Sequence, residues 1–360
     1  MRHALVLARR GLGQVWPNPA VGCLIVRDGR VVGRGWTQLG GRPHAEAEAL
    51  ARASVAARNA TAYVTLEPCC HSGKTPPCTE ALISAGLSRI VIAIRDPDPR
   101  VAGKGVAVLR NAGIEVFEGV LSGAAGDLNA GFLKKVTVGR PLITLKTSVS
   151  VDGRIATAAG SSQWVTGDRA RFDAHMLRAQ YDAILVASST AVADNPMLTC
   201  RLPGMERQSP VRILLDAHRR VPNELALFRS AKKVPLWIFT VIDENNPSNV
   251  EAARHGAKIK VVRQDQSGQG VDLAQTMEQI SNAGITRLLV EAGGQLGGAL
   301  LRSLLVDQIV VYRAPSLIGG DGVSLVDSLG VRDVADALFL ERIGTKLIDR
   351  DIVETYKVCS

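Results

Sequence analysis

The stretch GRPHAEAEAL (residues 41–50), followed by TLEPCCHSGKTPPCTEAL (residues 65–82), decides the fold of the first part of the chain. His44 and three of the six cysteines of the chain lie in these two stretches. Imidazole and thiolate are zinc ligands, and a catalytic zinc site uses three protein ligands and leaves a fourth position for water. Glu46, two residues after His44, can point into such a site without binding the metal, and can transfer protons there. The two stretches therefore predict an open, catalytic zinc site.

The choice between adjacent cysteines stays open at this point. Cys69 directly follows a proline and so fits better than Cys70 the H-x-E and P-C-x-x-C signature of zinc nucleobase deaminases. In this chain, however, Cys78 follows Cys69 after eight intervening residues instead of two. The alternatives are a structural zinc site with Cys70 or His71 as fourth ligand, or buried thiols without metal. Both alternatives leave the neighbouring glutamate without a role.

Composition and charge limit the class of protein. With 360 residues, 46% hydrophobic and 21% charged, the chain is long enough for two globular domains. No apolar run reaches the roughly 18 to 20 residues that a membrane helix requires. The N-terminal stretch MRHALVLARR has a short apolar part that ends in arginines, so we interpret it as a helix of the fold and not as a signal peptide. Clustered cysteines fit a metal site in a reducing cytoplasm.

The net charge of +9 favours an anionic partner, either nucleic acid or a phosphorylated small molecule. Basic residues do not form one long run, and aromatic residues, at 4%, are too few to form a stacking platform for bases. We therefore expect no nucleic-acid partner and no membrane.

Alternating apolar strands and amphipathic helices run through the whole chain. Residues 20–36 predict a hairpin that turns at Asp28-Gly29, a strong hairpin dipeptide. A second series of strands and helices begins at residue 140, and residues 128–141 are the expected joint. The predicted fold is therefore α/β, with two layered domains, residues 1–139 and 140–360.

Three motifs of the first domain together resemble one enzyme family: PNPAVGCLIV (residues 17–26), HAEAEAL (residues 44–50) and EPCCHSGKTPPC (residues 67–78). They are similar to the deaminase half of the bifunctional riboflavin-biosynthesis deaminase/reductase, whose long loop between the cysteines separates it from cytidine and tRNA-adenosine deaminases. The resemblance implies a cytidine-deaminase-like zinc domain. It also implies the following roles: zinc on His44, Cys69 and Cys78, proton transfer by Glu46, and contact with a ribosylaminopyrimidine 5′-phosphate by Asn18, His71 and Lys74.

Two residues depart from the usual pattern of the family. Cys70 stands where a small polar residue is usual, and Lys74 stands where arginine is usual. Lysine keeps the positive charge but lacks the two-pronged hydrogen bonding of a guanidinium, so the phosphate role of Lys74 is weakened.

The strongest local signal of the second domain is RLLVEAGGQLGGALL (residues 287–301), an apolar strand, a glycine-rich turn and a helix. Such a turn lets backbone N–H groups approach a pyrophosphate at a helix N-terminus. The pattern is not the G-x-G-x-x-G fingerprint, and a turn that serves only packing is an equally good interpretation.

Two further stretches, residues 145–167 and 178–201, resemble the reductase half of the same enzyme, which has a dihydrofolate-reductase-like fold. The resemblance implies an NADPH site and a substrate site. The implied NADPH-binding residues are Ser148, Trp164, Thr190, Asp194, Gly293, Gly294, Gln295, Leu296, Gly297, Gly298 and Ala299. The implied substrate-binding residues are Ser162, Arg178, Leu198, Arg201 and Glu291. The role of Lys146, at the end of a strand, stays open.

Together these features predict a cytoplasmic, homo-oligomeric enzyme with two activities of riboflavin biosynthesis. The first is zinc-dependent deamination of 2,5-diamino-6-(5-phosphoribosylamino)pyrimidin-4-one, and the second is NADPH-dependent reduction of its ribosyl side chain to ribityl. One alternative is a nucleoside or tRNA deaminase with an appended domain, which would have the short cysteine spacing. Another is a zinc-stabilised nucleic-acid-binding protein, whose binding would depend steeply on salt.

Overall fold

A computed structural model describes residues 1–73 and 76–359. The chain forms two compact units. The first consists of Met1–Pro141 with Gly284–Thr286, and the second of Leu142–Ala283 with Arg287–Ser360.

The first unit is a five-stranded sheet with helices packed on it. Its strands are β1 (Gly22–Arg27), β2 (Arg30–Trp36), β3 (Thr61–Val64), β4 (Arg89–Ile92) and β5 (Glu115–Glu118). Its helices are α1 (Arg2–Ala8), α2 (Ala45–Ala53), α3 (Cys78–Ser84), α4 (Lys104–Asn111) and α5 (Ser122–Val138). The strand order is β2-β1-β3-β4-β5; β1 runs antiparallel to both neighbours, and β3, β4 and β5 are parallel.

The predicted hairpin is confirmed. Asp28 and Gly29 both have positive φ, 50° and 74°, and connect β1 directly to β2. Positive φ at both central residues is the backbone of a type I′ turn, whose twist matches that of the flanking strands.

Small residues bring helix α2 into backbone contact with the sheet. A Cβ atom added to Gly33 would lie 2.2 Å from the carbonyl oxygen of Ala49, and one added to Gly35 would lie 2.0 Å from that of Ala45. Both alanines are fully buried. No larger side chain fits between β2 and α2, so these glycines fix the position of the helix that follows His44.

The expected joint at residues 128–141 is mostly helical, because α5 continues to Val138. Gly139, with φ of 82°, ends the helix in the left-handed conformation that glycine adopts without strain. The helix-forming residues of FLKKV explain why this segment is not extended.

The second unit is built on a nine-stranded sheet and a small two-stranded one. Its strands are β6 (Leu142–Val149), β7 (Arg154–Ala156), β8 (Ala183–Ala187), β9 (Val211–Leu215), β10 (Leu236–Thr240), β11 (Lys258–Val261), β12 (Arg287–Glu291), β13 (Gln308–Arg313), β14 (Val323–Ser324), β15 (Leu340–Ile348) and β16 (Asp351–Val358). Its helices are α6 (Asp168–Ala179), α7 (Ser188–Asp194), α8 (Ala226–Arg229), α9 (Pro247–Arg254), α10 (Leu273–Asn282) and α11 (Gly294–Arg302).

The large sheet has the order β11-β10-β9-β8-β12-β6-β13-β16-β15. The first seven strands of this order, from β11 at the edge to β13, are all parallel to one another. Strand β16 pairs antiparallel with β13, and β15 pairs antiparallel with β16. The C-terminal stretch LFLERIGTKLIDRDIVETYKV (residues 338–358) thus forms a strand pair that closes the sheet. Strand β8 is almost entirely buried and apolar, and β12 is buried and apolar over Leu288–Val290, as expected for parallel strands covered on both faces.

Among the described residues, no helix combines the length and the apolar composition that a bilayer crossing requires.

Candidate active sites

Three neighbouring segments bring the predicted zinc ligands together. His44 directly precedes α2, Cys78 is the first residue of α3, and Cys69 lies in the loop after β3. His44 Nδ1 lies 3.3 Å from Cys78 Sγ and 3.6 Å from Cys69 Sγ. All three ligand atoms lie within 4.8 Å of one another.

This arrangement fits a zinc ion. With zinc–sulfur and zinc–nitrogen bonds of about 2.3 and 2.0 Å, a tetrahedral site has nitrogen–sulfur separations of about 3.5 Å. Cys70 does not join the group, because its Sγ lies 3.7 Å from the carbonyl oxygen of Arg100. The geometry therefore groups Cys69, and not Cys70, with His44 and Cys78.

Hydrogen bonding prepares one thiol to be a metal ligand. The thiol and the backbone N–H of Cys78 both donate to Cys69 Sγ. These hydrogen bonds, with a smaller contribution from His44, lower the pKa of Cys69 to about 4 against the effect of burial. Cys69 is therefore a thiolate at neutral pH, the form that binds zinc.

Glu46 is buried beside the cluster, with 4% of its surface exposed. It lies in the first turn of α2, and burial raises its pKa to about 7. A carboxyl group with a pKa near neutrality can both accept and donate a proton, which is the property required of a general acid–base catalyst.

A cavity of ≈ 580 Å³ opens beside the zinc ligands. Predicted residues Asn18 and His71 line it together with Glu46, whereas Lys74 lies outside the described residues. The sequence did not single out several further polar residues of its wall: Arg42, Glu67, Asp96, Asp98, Arg100 and Lys135.

Asn18 is placed by a close approach to the backbone. A Cβ atom added to Gly41 would lie 1.8 Å from Asn18 Nδ2, and Gly41 has φ of 85°. Only glycine fits both requirements.

Two buried carboxylates of the cavity wall have different partners. Glu67 accepts hydrogen bonds from the backbone N–H groups of Gly103 and Val106, both at 3.0 Å, and so holds the start of α4. Asp96 accepts one from the N–H of Asp98 at 2.9 Å, and burial raises its pKa to about 6. Glu67 therefore serves the fold, whereas Asp96 offers the cavity a carboxyl group whose pKa is raised.

The second unit contains a cavity of ≈ 600 Å³ at the carboxyl ends of β6, β8 and β12. In open α/β sheets this edge is the usual ligand site. Nine of the predicted residues line the cavity: Ser148, Trp164, Thr190, Asp194, Ser162, Arg178, Leu198, Arg201 and Glu291.

The two predicted arginines of the cavity differ in their hydrogen-bond partners. Arg178 donates from Nε and Nη2 to the two carboxylate oxygens of Glu291, each at 2.8 Å, and from Nη1 to the carbonyl oxygen of Thr199 at 3.2 Å. Arg201 has no hydrogen bond or ion pair in the part of the chain that the structure describes. Arg201 is therefore the guanidinium available to an anion.

Lys146, whose role the sequence left open, lies beside this ion pair. It is the register partner of Glu291 on the neighbouring strand, and its Nζ lies 5.3 Å from the ring centroid of Tyr312. Burial lowers the pKa of Lys146. Although burial opposes ionisation of Glu291, the charges of Arg178 and Lys146 lower the pKa of that carboxyl to about 2.

Sequence reasoning also missed His175 and Arg171, both of which line the cavity. The ring Nδ1 of His175 lies 3.1 Å from the carbonyl oxygen of Thr199, and burial together with Arg178 lowers the pKa of His175 to about 4. The guanidinium of Arg171 covers the ring of Trp164 at 4.5 Å. Both missed residues lie on α6, and the sequence of this helix contains no motif that marks them as site residues.

The glycine-rich turn is not part of this cavity wall. Gly293 precedes α11, and a Cβ atom added to Gly294 would lie 2.8 Å from the carbonyl oxygen of Ser324. One added to Gly298 would lie 3.3 Å from the carbonyl oxygen of Asp327. Residues 324–327 therefore approach Gly294 and Gly298 closely, and the predicted pyrophosphate contact of this turn stays a prediction. A Cβ atom added to Gly293 would lie 3.9 Å from Ile155 Cδ1, and Ile155 lines the cavity.

Two family models match the chain. The model of the cytidine and deoxycytidylate deaminase zinc-binding region matches residues 1–94, and that of the RibD C-terminal domain matches residues 141–353. The first match covers His44, Cys69 and Cys78, and the second covers the nine predicted residues of the second cavity.

Relatives match over nearly the whole length. The riboflavin biosynthesis protein RibD of Escherichia coli (strain K12) is 43% identical over 348 residues, which is 94% of this chain and 92% of the relative. That of Actinobacillus pleuropneumoniae is 39% identical and covers 100% of this chain and 95% of the relative.

Solved structures agree. Acinetobacter baumannii RibD, form 1, superposes with a TM-score of 0.90 at 36% identity, covering 100% of this chain and 98% of the other. A diaminohydroxyphosphoribosylaminopyrimidine deaminase/5-amino-6-(5-phosphoribosylamino)uracil reductase of Thermotoga maritima gives 0.87 at 34% identity, covering 100% and 97%.

Proposed function

This chain belongs to the RibD family of riboflavin biosynthesis proteins, and we propose that residues 1–139 carry its deaminase activity and residues 140–360 its reductase activity. The protein is a bifunctional deaminase/reductase with a cytidine-deaminase-like first domain and a dihydrofolate-reductase-like second domain. Its cofactors are zinc and NADPH. The predicted fold class and the two predicted activities are confirmed, and the alternative of a nucleic-acid-binding protein is not favoured.

The proposed first substrate is 2,5-diamino-6-(5-phosphoribosylamino)pyrimidin-4-one, in agreement with the name of the Thermotoga maritima relative. Water adds to the ring carbon that carries the 2-amino group, and ammonia leaves, which gives the corresponding pyrimidinedione. In the second reaction a hydride adds to the ribosylamino C1′, the bond from C1′ to the ring oxygen breaks, and that oxygen takes a proton, which opens the sugar to a ribitylamino chain. The first reaction consumes one water molecule, and the second consumes one NADPH and one proton.

The observation that carries the deaminase proposal is a buried glutamate beside a His/Cys/Cys cluster. His44, Cys69 and Cys78 hold zinc, which lowers the pKa of a bound water when it is present. Glu46 accepts a proton from the attacking water and returns it to the departing amine. Its pKa of about 7 suits both transfers, because neither protonation state is strongly disfavoured at neutral pH.

Polar groups of the same cavity would hold the rest of the substrate. Asn18, fixed against Gly41, faces the pyrimidine with an amide that can both donate and accept hydrogen bonds. His71 belongs to the long loop between the cysteines, and with Lys74, which lies outside the described residues, it contacts the ribose phosphate.

In the reductase cavity, Arg201 binds the substrate phosphate, because its guanidinium is not already neutralised by the protein. Arg178 and Glu291 form a fixed ion pair that presents carboxylate oxygens to sugar hydroxyl groups. The remaining proposed substrate contacts are Ser162 and Leu198. The proposed NADPH contacts are Ser148, Trp164, Thr190, Asp194 and the turn Gly293, Gly294, Gln295, Leu296, Gly297, Gly298 and Ala299. NADPH supplies the hydride, and the protein supplies orientation and matching charge.

We also propose that the protein is cytoplasmic and homo-oligomeric. The support for assembly is the apolar surface of the edge strand β15, where Ile343 and Leu347 are 49% and 74% exposed. Light scattering of the purified protein tests this proposal, and a monomer at micromolar concentration would contradict it.

An assay with two separate readouts tests the enzymatic proposal. Zinc-loaded protein is mixed with the diaminopyrimidinone ribosylamine phosphate and NADPH, and ammonia release and NADPH oxidation are followed in parallel. We expect ammonia to appear first and NADPH oxidation to follow in equal amount. Zinc-loaded protein that releases no ammonia contradicts the deaminase proposal, and ammonia release without NADPH oxidation contradicts the reductase proposal.

A further inference from the structure

One face of helix α5 forms part of the deaminase cavity. Phe132, Lys135 and Val136, spaced three and four residues apart, all line it. The helix is anchored to the loop of Asn18 by the buried side chain of Asn129, whose Oδ1 accepts from the N–H of Ala20 at 2.9 Å and whose Nδ2 donates to its carbonyl oxygen at 3.1 Å. Lys135 is therefore carried by a helix fixed to the cavity, and not by the long loop between the cysteines.

Both arginines that line the cavity already have a partner in the protein. Arg100 donates from Nε to both carboxylate oxygens of Asp98, at 3.0 and 3.1 Å. Arg42 has an interaction elsewhere in the chain.

Lys135 differs from these residues. In the described ranges 1–73 and 76–359 its ammonium group has no hydrogen bond and no ion pair, and the residue is only partly exposed. Three carboxylates of the cavity wall have other partners: Glu67 accepts from backbone N–H groups, Asp96 from the N–H of Asp98, and Asp98 from Arg100. A lysine that lines a cavity and has no protein partner for its charge is a site for an anion.

We propose that Lys135 binds the 5′-phosphate of the deaminase substrate. This inference rests on the proposed deaminase function and adds a binding residue outside the zinc motifs. Glu46 and the zinc ligands must face the pyrimidine ring, so the phosphate lies at a distance from them along the cavity. A phosphate dianion matches the charge of an ammonium group, which binds it as a point charge without a fixed geometry.

A comparison of two substrates tests this contact. Ammonia release is measured for the wild type, Lys135→Ala and Lys134→Ala, with the ribosylaminopyrimidine 5′-phosphate and with the same compound lacking the phosphate. Lys134 is the matched control, because it is the neighbouring lysine of α5 and does not line the cavity. The zinc content of the same samples reports whether the deaminase unit of each variant is folded, because its ligands come together only in the folded unit.

The expected result for Lys135→Ala is a KM about 10- to 100-fold higher for the phosphorylated substrate, with kcat nearly unchanged. For the substrate without phosphate, Lys135→Ala and the wild type should have equal KM, and Lys135→Arg should restore most of the affinity for the phosphorylated one. An equal effect of Lys135→Ala on both substrates, or no effect on either, overturns the inference. A wild type that releases no ammonia from either substrate overturns the proposed deaminase function itself.

Discussion

The deaminase site and the reductase cavity use buried carboxyl groups in opposite ways. In the first, burial raises the pKa of Glu46 to about 7 and that of Asp96 to about 6. In the second, Arg178 and Lys146 lower the pKa of Glu291 to about 2, although burial opposes this. The first site therefore keeps protons that can move, as hydrolysis requires. The second keeps a fixed negative charge, as suits a site whose redox chemistry the cofactor carries.

Zinc removal should produce the largest difference between the activities of the two sites. Dialysis against a strong chelator should abolish ammonia release, because the water-activating ion is lost, while reduction of the deaminated intermediate with NADPH should continue at the original rate. Both activities are measured on the same sample, and zinc is quantified before and after. Re-addition of zinc should restore ammonia release. Equal loss of both activities would show that the zinc site stabilises the whole chain.

Glu291→Gln should act on the reductase alone. Removing one partner of a buried ion pair leaves Arg178 uncompensated and costs about 3 kcal/mol of stability, and we expect kcat/KM of the reductase to fall about 100-fold. Thermal unfolding and NADPH oxidation measure the two effects, and ammonia release is the control. An unchanged reductase rate would show that the ion pair does not contact the reacting groups.

The pH dependence of this stability has a definite sign. The pKa of Glu291 is about 2 in the folded protein and about 4.3 in an unfolded chain, so its stabilising contribution is present above pH 4.3 and is lost as the pH falls toward 2. The difference in unfolding temperature between the wild type and Glu291→Gln should therefore be constant from pH 5 to 8. A difference that vanishes at pH 7 would contradict the assigned charges.

Asp96→Asn should have the opposite effect on stability. The pKa of Asp96 is about 6 when folded and about 3.9 when unfolded, so its ionisation destabilises the fold increasingly as the pH rises from 3.9 through 6. The amide should stabilise the protein at pH 7 by up to about 2 kcal/mol, and at pH 4 the gain should be small. Thermal unfolding at the two pH values measures it, and a destabilised variant at pH 7 would contradict the assignment.

Cys70→Ser should have the smallest effect. Its Sγ points to the Arg100 carbonyl and not to the cluster, so the variant should keep one zinc ion per chain and its deaminase rate. Cys69→Ser is the matched comparison and should lose zinc. If Cys70→Ser loses zinc instead, the sulfur ligand has been assigned to the wrong cysteine.

The two sites also differ in how far the sequence could predict them. The predicted ligands His44, Cys69 and Cys78 lie within 35 residues, so the residues themselves predicted a zinc site here and favoured Cys69 over Cys70, and the resemblance supplied the full ligand set. The residues of the reductase cavity come from β6, α6, α7 and β12, which meet only in the folded sheet. For them, family resemblance supplied the assignment.

Some features had no usable signal in the sequence. Lys146 and Glu291 become neighbours only through the register of β6 and β12. The glycines of α11 suggested a pyrophosphate, but Gly294 and Gly298 also accommodate residues 324–327, and a sequence pattern does not distinguish a ligand from a chain segment. Arg42, Asp96 and Lys135 were missed because each is an ordinary charged residue outside a motif.

The central claim is that one chain holds two chemically independent sites, the first of which depends on a proton carried by Glu46. The most direct test is Glu46→Gln, assayed with the diaminopyrimidinone ribosylamine phosphate and, separately, with its deaminated product and NADPH. We predict that ammonia release falls at least about 100-fold, because an amide cannot transfer the proton, while the deaminated product is reduced at the wild-type rate. Undiminished ammonia release by zinc-loaded Glu46→Gln, or loss of reduction together with deamination, would contradict the account.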